Sequence, residues 1–397
     1  MALALLAALQ LGMAAGAGRL LSPSTHETLA RAQGLLEAGK ARAALEELKG
    51  LVRRIGDDPY ARAVVQQNLG YAYHVLGRER EAIASYGAAL KAQSLPEEVA
   101  QRVRYTLAQL LLGEGAYREG LQHLERWLRT ESDPPAESRY LAAVAHYELG
   151  QCRDSIAQLE QAVARVASPP ESWYRLLLAC QYDLSRFRPA AKTLERLIRI
   201  APGERDYWLQ LAGVYQRLGR ERDALAILEL AYRQGRLEGP EILRLARLYL
   251  YLEMPYQAAR LLERELEAGR IASTEANWTL LGDSLLRSQE RPAAAQALGH
   301  AARVSEKGER YLRWGALLYE LEDWPGAARA LSTALDKGVL KEPGRAQLLL
   351  GLAAYRGGDM ATARQALKKA ARDPATRDPA LRWLDYLDWA AALSALP

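Results

Sequence analysis

The chain has 397 residues, 49% of them apolar and 25% charged, which excludes extended disorder and leaves either two or three globular domains or one long array. Its net charge of +5 is spread along the sequence with acids interleaved, as in RERDALAILE, so no basic stripe for following a phosphate backbone is present. A single Phe, Phe187, stands against 20 Tyr and 8 Trp, so many aromatic contacts carry a polar handle.

At the amino terminus, MALALLAALQLGMAAGAGR joins an apolar stretch to small residues, and Ala15-Gly16-Ala17 suits a small-x-small cleavage site with a mature chain starting near Gly18. Residues 1–17 therefore read as a secretory signal peptide, which predicts a periplasmic location. No Lys or Arg precedes Arg19, so an uncleaved anchor and a misplaced start remain as alternatives. At roughly 17 residues the segment lies at the lower limit for crossing a bilayer. Membrane association is thus expected only indirectly or through an uncleaved leader.

Beyond the leader one pattern recurs. Aligning NLGYAYHVLGREREAIASYGAAL with QLAGVYQRLGRERDALAILELAY and LLGLAAYRGGDMATARQALKKAA defines a unit of about 34 residues that reads as two antiparallel helices. Units start near Thr25, Ala63, Gln101, Ala136, Glu171, Arg205, Gly239, Glu275, Gly308 and Gly344. Unit position 8, in the first helix, is Ala or Gly in every unit except for Leu178. Position 20, in the second helix, is always small: Ala44, Ala82, Gly120, Ser155, Ala190, Ala224, Ala258, Ala294, Ala327 and Ala363. Small residues there let the two helices approach closely, and a larger group should overpack. Position 24 is Leu in nine units and Tyr86 in the other, and is expected to fill the space under the following unit.

The turn falls at position 15, where Gly39, Gly77, Gly115, Gly150, Gly219 and Gly358 suit a left-handed helix end. Ser185, Glu253, Gln289 and Glu322 replace glycine in the other units, and each is followed by a proline: Pro189, Pro255, Pro292 or Pro325. The sequence predicts that these four units exchange a glycine stop for a proline start, because the first turn of a helix tolerates the missing N–H. Pro255, inside LARLYLYLEMPYQAARLLE, then opens a second helix instead of breaking one.

These offsets of Gly or Ala, Tyr, Ala and Leu resemble the tetratricopeptide repeat family over Thr25 to about Arg372. The resemblance implies an all-α solenoid, a right-handed superhelix of ten helical hairpins, spanning residues 18–372. Residues 373–397, with PALRWLDYLDWAAALSAL, read as a closing helix and tail that is more apolar than a solvated cap.

Chemistry-bearing motifs are scarce. GLLEAGKA imitates a phosphate-binding loop but lacks the following Ser or Thr and any preceding strand, and Gly39 is already a turn residue. His26, His74, His123, His146 and His300 sit in different units without a nucleophile or metal-ligand pattern. No enzyme activity, cofactor, metal, nucleic acid or small-molecule substrate is expected. Cys152 and Cys180 can form a disulfide in an oxidising compartment or lie buried as two small residues in helix packing.

In the resembled family, first-helix positions 2, 5, 9, 12 and 13 line a groove that holds a peptide or protein. Transferred by position, they give Tyr71, His74, Tyr105, Gln109, Tyr140, Tyr147, Arg175, Tyr182, Gln216, Arg217, Arg247, Tyr251, Asp283, Arg287, Tyr319, Tyr355 and Arg356 as candidate partner-binding residues. Tyr and Arg are enriched at binding hot spots, although any one tyrosine can instead serve to pack neighbouring helices. Chaperone-binding members clamp a carboxylate with Lys and Asn at positions 2, 5, 6 and 9. Only Asn68 fits that clamp, and no lysine does.

VVQQNLGYAY, YWLQLAGVY, LARLYLYLEMPYQAARLLERELEAGRI and EDWPGAARAL also resemble the proteobacterial tetratricopeptide proteins encoded beside TonB, ExbB and ExbD. That narrower resemblance implies a periplasmic adaptor accessory to TonB-dependent uptake of iron complexes, with components of that system as partners. A scaffold for envelope polysaccharide or outer-membrane assembly is the competing reading.

Overall fold

The computed structural model describes residues 21–394, with side chains through Ala391. The leader reading at residues 1–17 lies outside them. The described residues form 21 α-helices and no strand. Twenty of these make ten hairpins: α1 (Pro23–Glu37) with α2 (Ala41–Val52), α3 (Pro59–Val75) with α4 (Glu79–Lys91), α5 (Glu97–Gly113) with α6 (Tyr117–Thr130), α7 (Ala136–Glu148) with α8 (Cys152–Ala164), and α9 (Glu171–Asp183) with α10 (Phe187–Ile200). The series continues with α11 (Arg205–Arg217) and α12 (Glu221–Arg233), α13 (Gly239–Tyr251) and α14 (Pro255–Glu267), α15 (Glu275–Arg287) and α16 (Arg291–Arg303), α17 (Gly308–Glu320) and α18 (Trp324–Lys337), and α19 (Pro343–Arg356) and α20 (Met360–Ala370). One last helix, α21 (Arg377–Ser394), follows.

Two compact units divide the chain, the first ending at Ala201 and the second starting at Pro202. Within each, every helix packs against the one before it and the one after it, which is the nearest-neighbour connectivity of an α-solenoid.

All ten hairpin turns share one backbone solution. The position-15 residue has positive φ in every unit, from Gly39 at 72° to Gly358 at 84°. The residue after it donates its N–H to the carbonyl five residues back, as Lys40 does to Leu35 at 2.8 Å and Asp359 to Ala354 at 2.8 Å, closing a Schellman motif. Ser185 (53°), Glu253 (57°), Gln289 (65°) and Glu322 (63°) adopt the same conformation without being glycine. The expected exchange of a glycine stop for a proline start is therefore corrected. These four units keep the left-handed stop, at a cost of about 1–2 kcal/mol each for a residue bearing Cβ, and add the proline behind it. Pro255 is the first residue of α14, Pro292 and Pro325 are the second residues of theirs, and Pro189 is the third of α10. Each thus lies in a first turn that needs no donor.

The interior of each hairpin follows the small-residue positions. Every position-20 residue is buried, and Ser155 Oγ donates to the Ala143 carbonyl at 2.8 Å, joining position 20 to position 8 across the hairpin. Where position 8 is glycine, the space a Cβ would need is taken by the position-24 side chain of the same unit: Tyr86 at 2.8 Å from Gly70, Leu298 at 2.7 Å from Gly282, Leu331 at 2.8 Å from Gly315, and Leu367 at 2.7 Å from Gly351. Position 24 therefore plugs its own hairpin as well as reaching the next one, where Leu48 shares a cluster with Val65, Leu69 and Ala72 of α3.

The closing helix covers the last hairpin. Ala380 and Leu387 are buried with Ala354, Ala363, Leu367 and Ala370, and Trp383 and Leu384 pack at the margin. Arg364 ties α20 to α21 through Asp388 and the Leu387 carbonyl.

Candidate protein-binding face

The repeat that buries positions 8, 20 and 24 also fixes what stays accessible. All 17 candidate residues lie on first helices, from α3 to α19, and none is buried. Arg175, Arg217, Arg247, Tyr251, Arg287 and Arg356 are exposed, and the others are half-buried. This is the geometry of side chains whose bodies rest on the hairpin while their polar ends meet solvent.

In the first unit the face is mostly tyrosine. Tyr71 packs beside the cluster of Ala82, Tyr86 and Val103. Tyr105 stacks on Trp127 of its own hairpin, with ring centroids 4.2 Å apart, and Tyr140 on Trp173 of the next, at 5.3 Å. Those faces are spent on packing, which holds the rings rigid and leaves their rims to a partner. Tyr182 meets Phe187 edge-on at 6.4 Å. His74 Nδ1 lies 2.9 Å from Glu79 Oε2 across the turn. Burial and the neighbouring Asp183 carboxylate push the Tyr147 phenol above its ordinary range, so it stays a neutral donor. Gln109 is half-buried on α5, and Arg175 is exposed on α9.

In the second unit arginine dominates. Tyr251 is 70% exposed at the end of α13, and Arg217, Arg247 and Arg287 reach solvent from α11, α13 and α15. Tyr319 packs edge-on against Trp324 at 5.0 Å, while the Arg356 guanidinium lies over the same indole at 5.9 Å, so these two candidates are brought together on one ring. Tyr355 hydroxyl donates to that of Tyr386 at 3.2 Å and its ring lies 5.5 Å from Trp383, which ties this candidate to the closing helix.

Two residues outside the candidate set belong to the same surface. Arg244 donates to Gln216, and Arg313 pairs with Asp283, each reaching from one first helix to the preceding one. Gln216 and Asp283 are therefore engaged in joining repeats. Both arginines stand at unit position 6, so the signal was present in the sequence, but a list restricted to five positions passes over it.

Cys152, the first residue of α8, and Cys180 on α9 are both buried free thiols. Cys152 Sγ donates to Asp183 Oδ2 at 3.4 Å. Burial, the adjoining Cys180 and Asp183 together push the Cys152 thiol up to about 12, which makes it a poor nucleophile at neutral pH.

Among the described residues no group of three or more His, Cys, Asp and Glu side chains is placed to hold a metal ion, and no helix is long and apolar enough to cross a membrane.

Residues 63–94 match one tetratricopeptide repeat family model, and residues 140–180 and 312–379 match another. Three segments of the chain thus match tetratricopeptide repeats. These matched segments include most of α3 and all of α4, most of α7 to α9, and most of α17 with all of α18 to α20, in both compact units. Among solved structures, a tetratricopeptide repeat protein from Parabacteroides merdae is 16% identical, covering 66% of this chain and 99% of its own, with a TM-score of 0.37. MamA from Desulfovibrio magneticus is 19% identical over 47% of this chain and 99% of its own, with a TM-score of 0.37. The TPR2AB domain of yeast Sti1, solved in a pHSP90 complex, is 17% identical over 65% of this chain and 98% of its own, with a TM-score of 0.34. No curated protein matches the chain.

Proposed function

We propose that this tetratricopeptide array is a non-catalytic adaptor that presents the Tyr and Arg face of its first helices to a protein partner. The observation that carries this reading is the sorting of the repeat. Positions 8, 20 and 24 are consumed by packing, while all 17 candidate positions keep solvent access, six of them exposed. Aromatic and arginine side chains held on rigid helices supply contact area and hydrogen bonds at low entropic cost, which is what binding hot spots require.

The same reading places the adaptor in the bacterial periplasm, accessory to TonB-dependent uptake of iron complexes. Its supports are the leader-like first 17 residues and the resemblance of VVQQNLGYAY, YWLQLAGVY and LARLYLYLEMPYQAARLLERELEAGRI to tetratricopeptide proteins encoded beside TonB, ExbB and ExbD. Fusion of the full chain to a reporter active only in the periplasm tests the compartment, and a reporter that stays inactive contradicts it. Affinity recovery of TonB, ExbB or ExbD with the tagged full chain tests the partner. Recovery of polysaccharide synthases or outer-membrane assembly factors in their place moves the adaptor to envelope biogenesis.

A further inference from the structure

Unit positions 4, 23 and 26 meet on one side of a hairpin, and in three hairpins the groups there complement one another. Arg139 of α7 donates to Gln158 of α8 at 3.3 Å, Arg196 of α10 donates to the Tyr174 hydroxyl of α9 at 3.3 Å, and Trp278 of α15 stacks on His300 of α16 with ring centroids 4.4 Å apart. In the third hairpin the same positions hold Arg104 on α5 with His123 and Arg126 on α6, so two guanidinium groups and an imidazole are set together. The Arg104 side chain is only 13% exposed, and its Nε is buried without a hydrogen-bond partner. Its Glu97 carboxylate neighbour stands 3.9 Å away, is largely exposed and accepts from Gln101 instead. His123 and Arg126 make no hydrogen bond or ion pair among the described residues. Burial pushes the imidazole below its ordinary value; Glu119 on α6 opposes this, while Arg104 and Arg126 both add to it. Like charges held together in a partly desolvated place cost stability, and such an arrangement is characteristic of a site that receives an opposite charge.

We propose that Arg104, His123 and Arg126 form a binding site for a phosphate group. Guanidinium groups recognise phosphate through paired N–H donors in a fixed fork, and here two of them come from the two helices of one hairpin. With the imidazole between them, the donors outnumber what the two oxygens of a planar carboxylate can accept, whereas a tetrahedral oxyanion presents oxygens in several directions. A dianionic phosphate also balances both arginines and favours a proton on His123. Arg104 is held by burial and Arg126 reaches solvent, so one arm of the site is preset and the other closes on the ligand. The cluster stands at unit positions other than those of the first-helix face, and it goes beyond the adaptor reading instead of depending on it.

Titration of the full chain with inorganic phosphate at neutral pH and constant ionic strength, from about 0.1 to 50 mM, tests this over a range set around a millimolar equilibrium. Imidazole signals of the five histidines are followed by NMR, with that of His123 assigned by its loss in His123→Gln. The expected result is a saturable shift of the His123 signal that the other four do not share. Its midpoint should rise roughly tenfold in Arg104→Gln and in Arg126→Gln, the loss of one charge-assisted contact, and stay unchanged in Arg329→Gln, an exposed arginine of α18. Should Arg104→Gln disturb the hairpin, Arg126→Gln, at an exposed position, still decides. Repeating the titration with O-phosphoserine separates the sources: tighter binding of the monoester assigns the site to a phosphorylated molecule, and tighter binding of inorganic phosphate assigns it to the free ion. A His123 signal that does not move, one that acetate shifts at the same midpoint, or a midpoint that Arg126→Gln leaves unchanged overturns the proposal. None of these outcomes bears on the first-helix face.

Discussion

Unit position 27 is apolar in nine hairpins, Leu51, Ala89, Trp127, Ala162, Leu197, Ala231, Ala301, Ala334 and Ala370, all buried. In the seventh hairpin it is Glu265, with no exposed surface. Burial alone pushes this carboxyl up. Arg270 offsets it by donating Nη2 to Oε1 at 2.6 Å, Tyr232 donates its hydroxyl, and the group ends below the ordinary carboxylate range. Arg264 and Arg270 lie over the Tyr232 ring at 5.2 and 5.4 Å, so one carboxylate organises a contact between the sixth and seventh hairpins. A depressed folded value contributes stability above the unfolded value and loses it as pH falls through the folded one. Glu265→Gln should therefore cost about 1–3 kcal/mol at neutral pH, the range for a disturbed buried hydrogen-bonded group. Its deficit against the native chain should shrink as the pH falls below the ordinary carboxylate range and the Glu265 carboxylate protonates. Urea midpoints of both proteins at neutral and acid pH check this, and a deficit that grows on acidification contradicts it. This cluster was not legible in the sequence, because Glu265 lies among other charged residues in RLLERELEAGR and only its unit position marks it as interior.

At the scale of the element, the hairpin turn is where sequence reasoning went astray. Glycine at position 15 signals a left-handed stop, but Ser185, Glu253, Gln289 and Glu322 make the same stop because the Schellman bonds and the packed hairpin enforce it. The packing positions were legible for the opposite reason: a small residue repeated at one offset in ten units has one physical use, and the structure shows it at Ser155 and Gly282. Relieving the strain at Glu253 by Glu253→Gly should raise the denaturant midpoint, by an amount near 0.5–1 kcal/mol once the extra freedom of glycine in the unfolded chain is subtracted. The same hairpin separates the helix start from the close contact. Pro255→Ala should change stability little, since Ala258 N–H already reaches the Met254 carbonyl at 3.2 Å and the first turn needs no donor. Ala258→Leu, at a position with no exposed surface, should cost roughly 1–3 kcal/mol by overpacking. Thermal melts of the two variants in the reverse order would contradict the hairpin register.

At the scale of the whole molecule, connectivity between neighbouring helices makes each hairpin depend on the next one within each compact unit, and every hairpin from the second to the tenth carries candidates on its first-helix face. The accessible side of that face could be read from the repeat, because buried offsets leave the remaining ones outside. Its working detail could not. Whether Tyr105 is stacked on Trp127 or free, and whether Asp283 meets a partner or Arg313, depends on residues in other helices that no single-helix pattern contains. Site-specific photo-cross-linking of the full chain in cells tests the central claim most directly. A photoreactive residue replaces Arg217, Tyr251 or Arg287 on first helices in one set, and exposed Arg222, Arg260 or Gln296 on second helices in another. Cross-links to a common protein from the first set, with few from the second, are the predicted result. Cross-links confined to the second-helix set, or none from either, would contradict binding through the first-helix face.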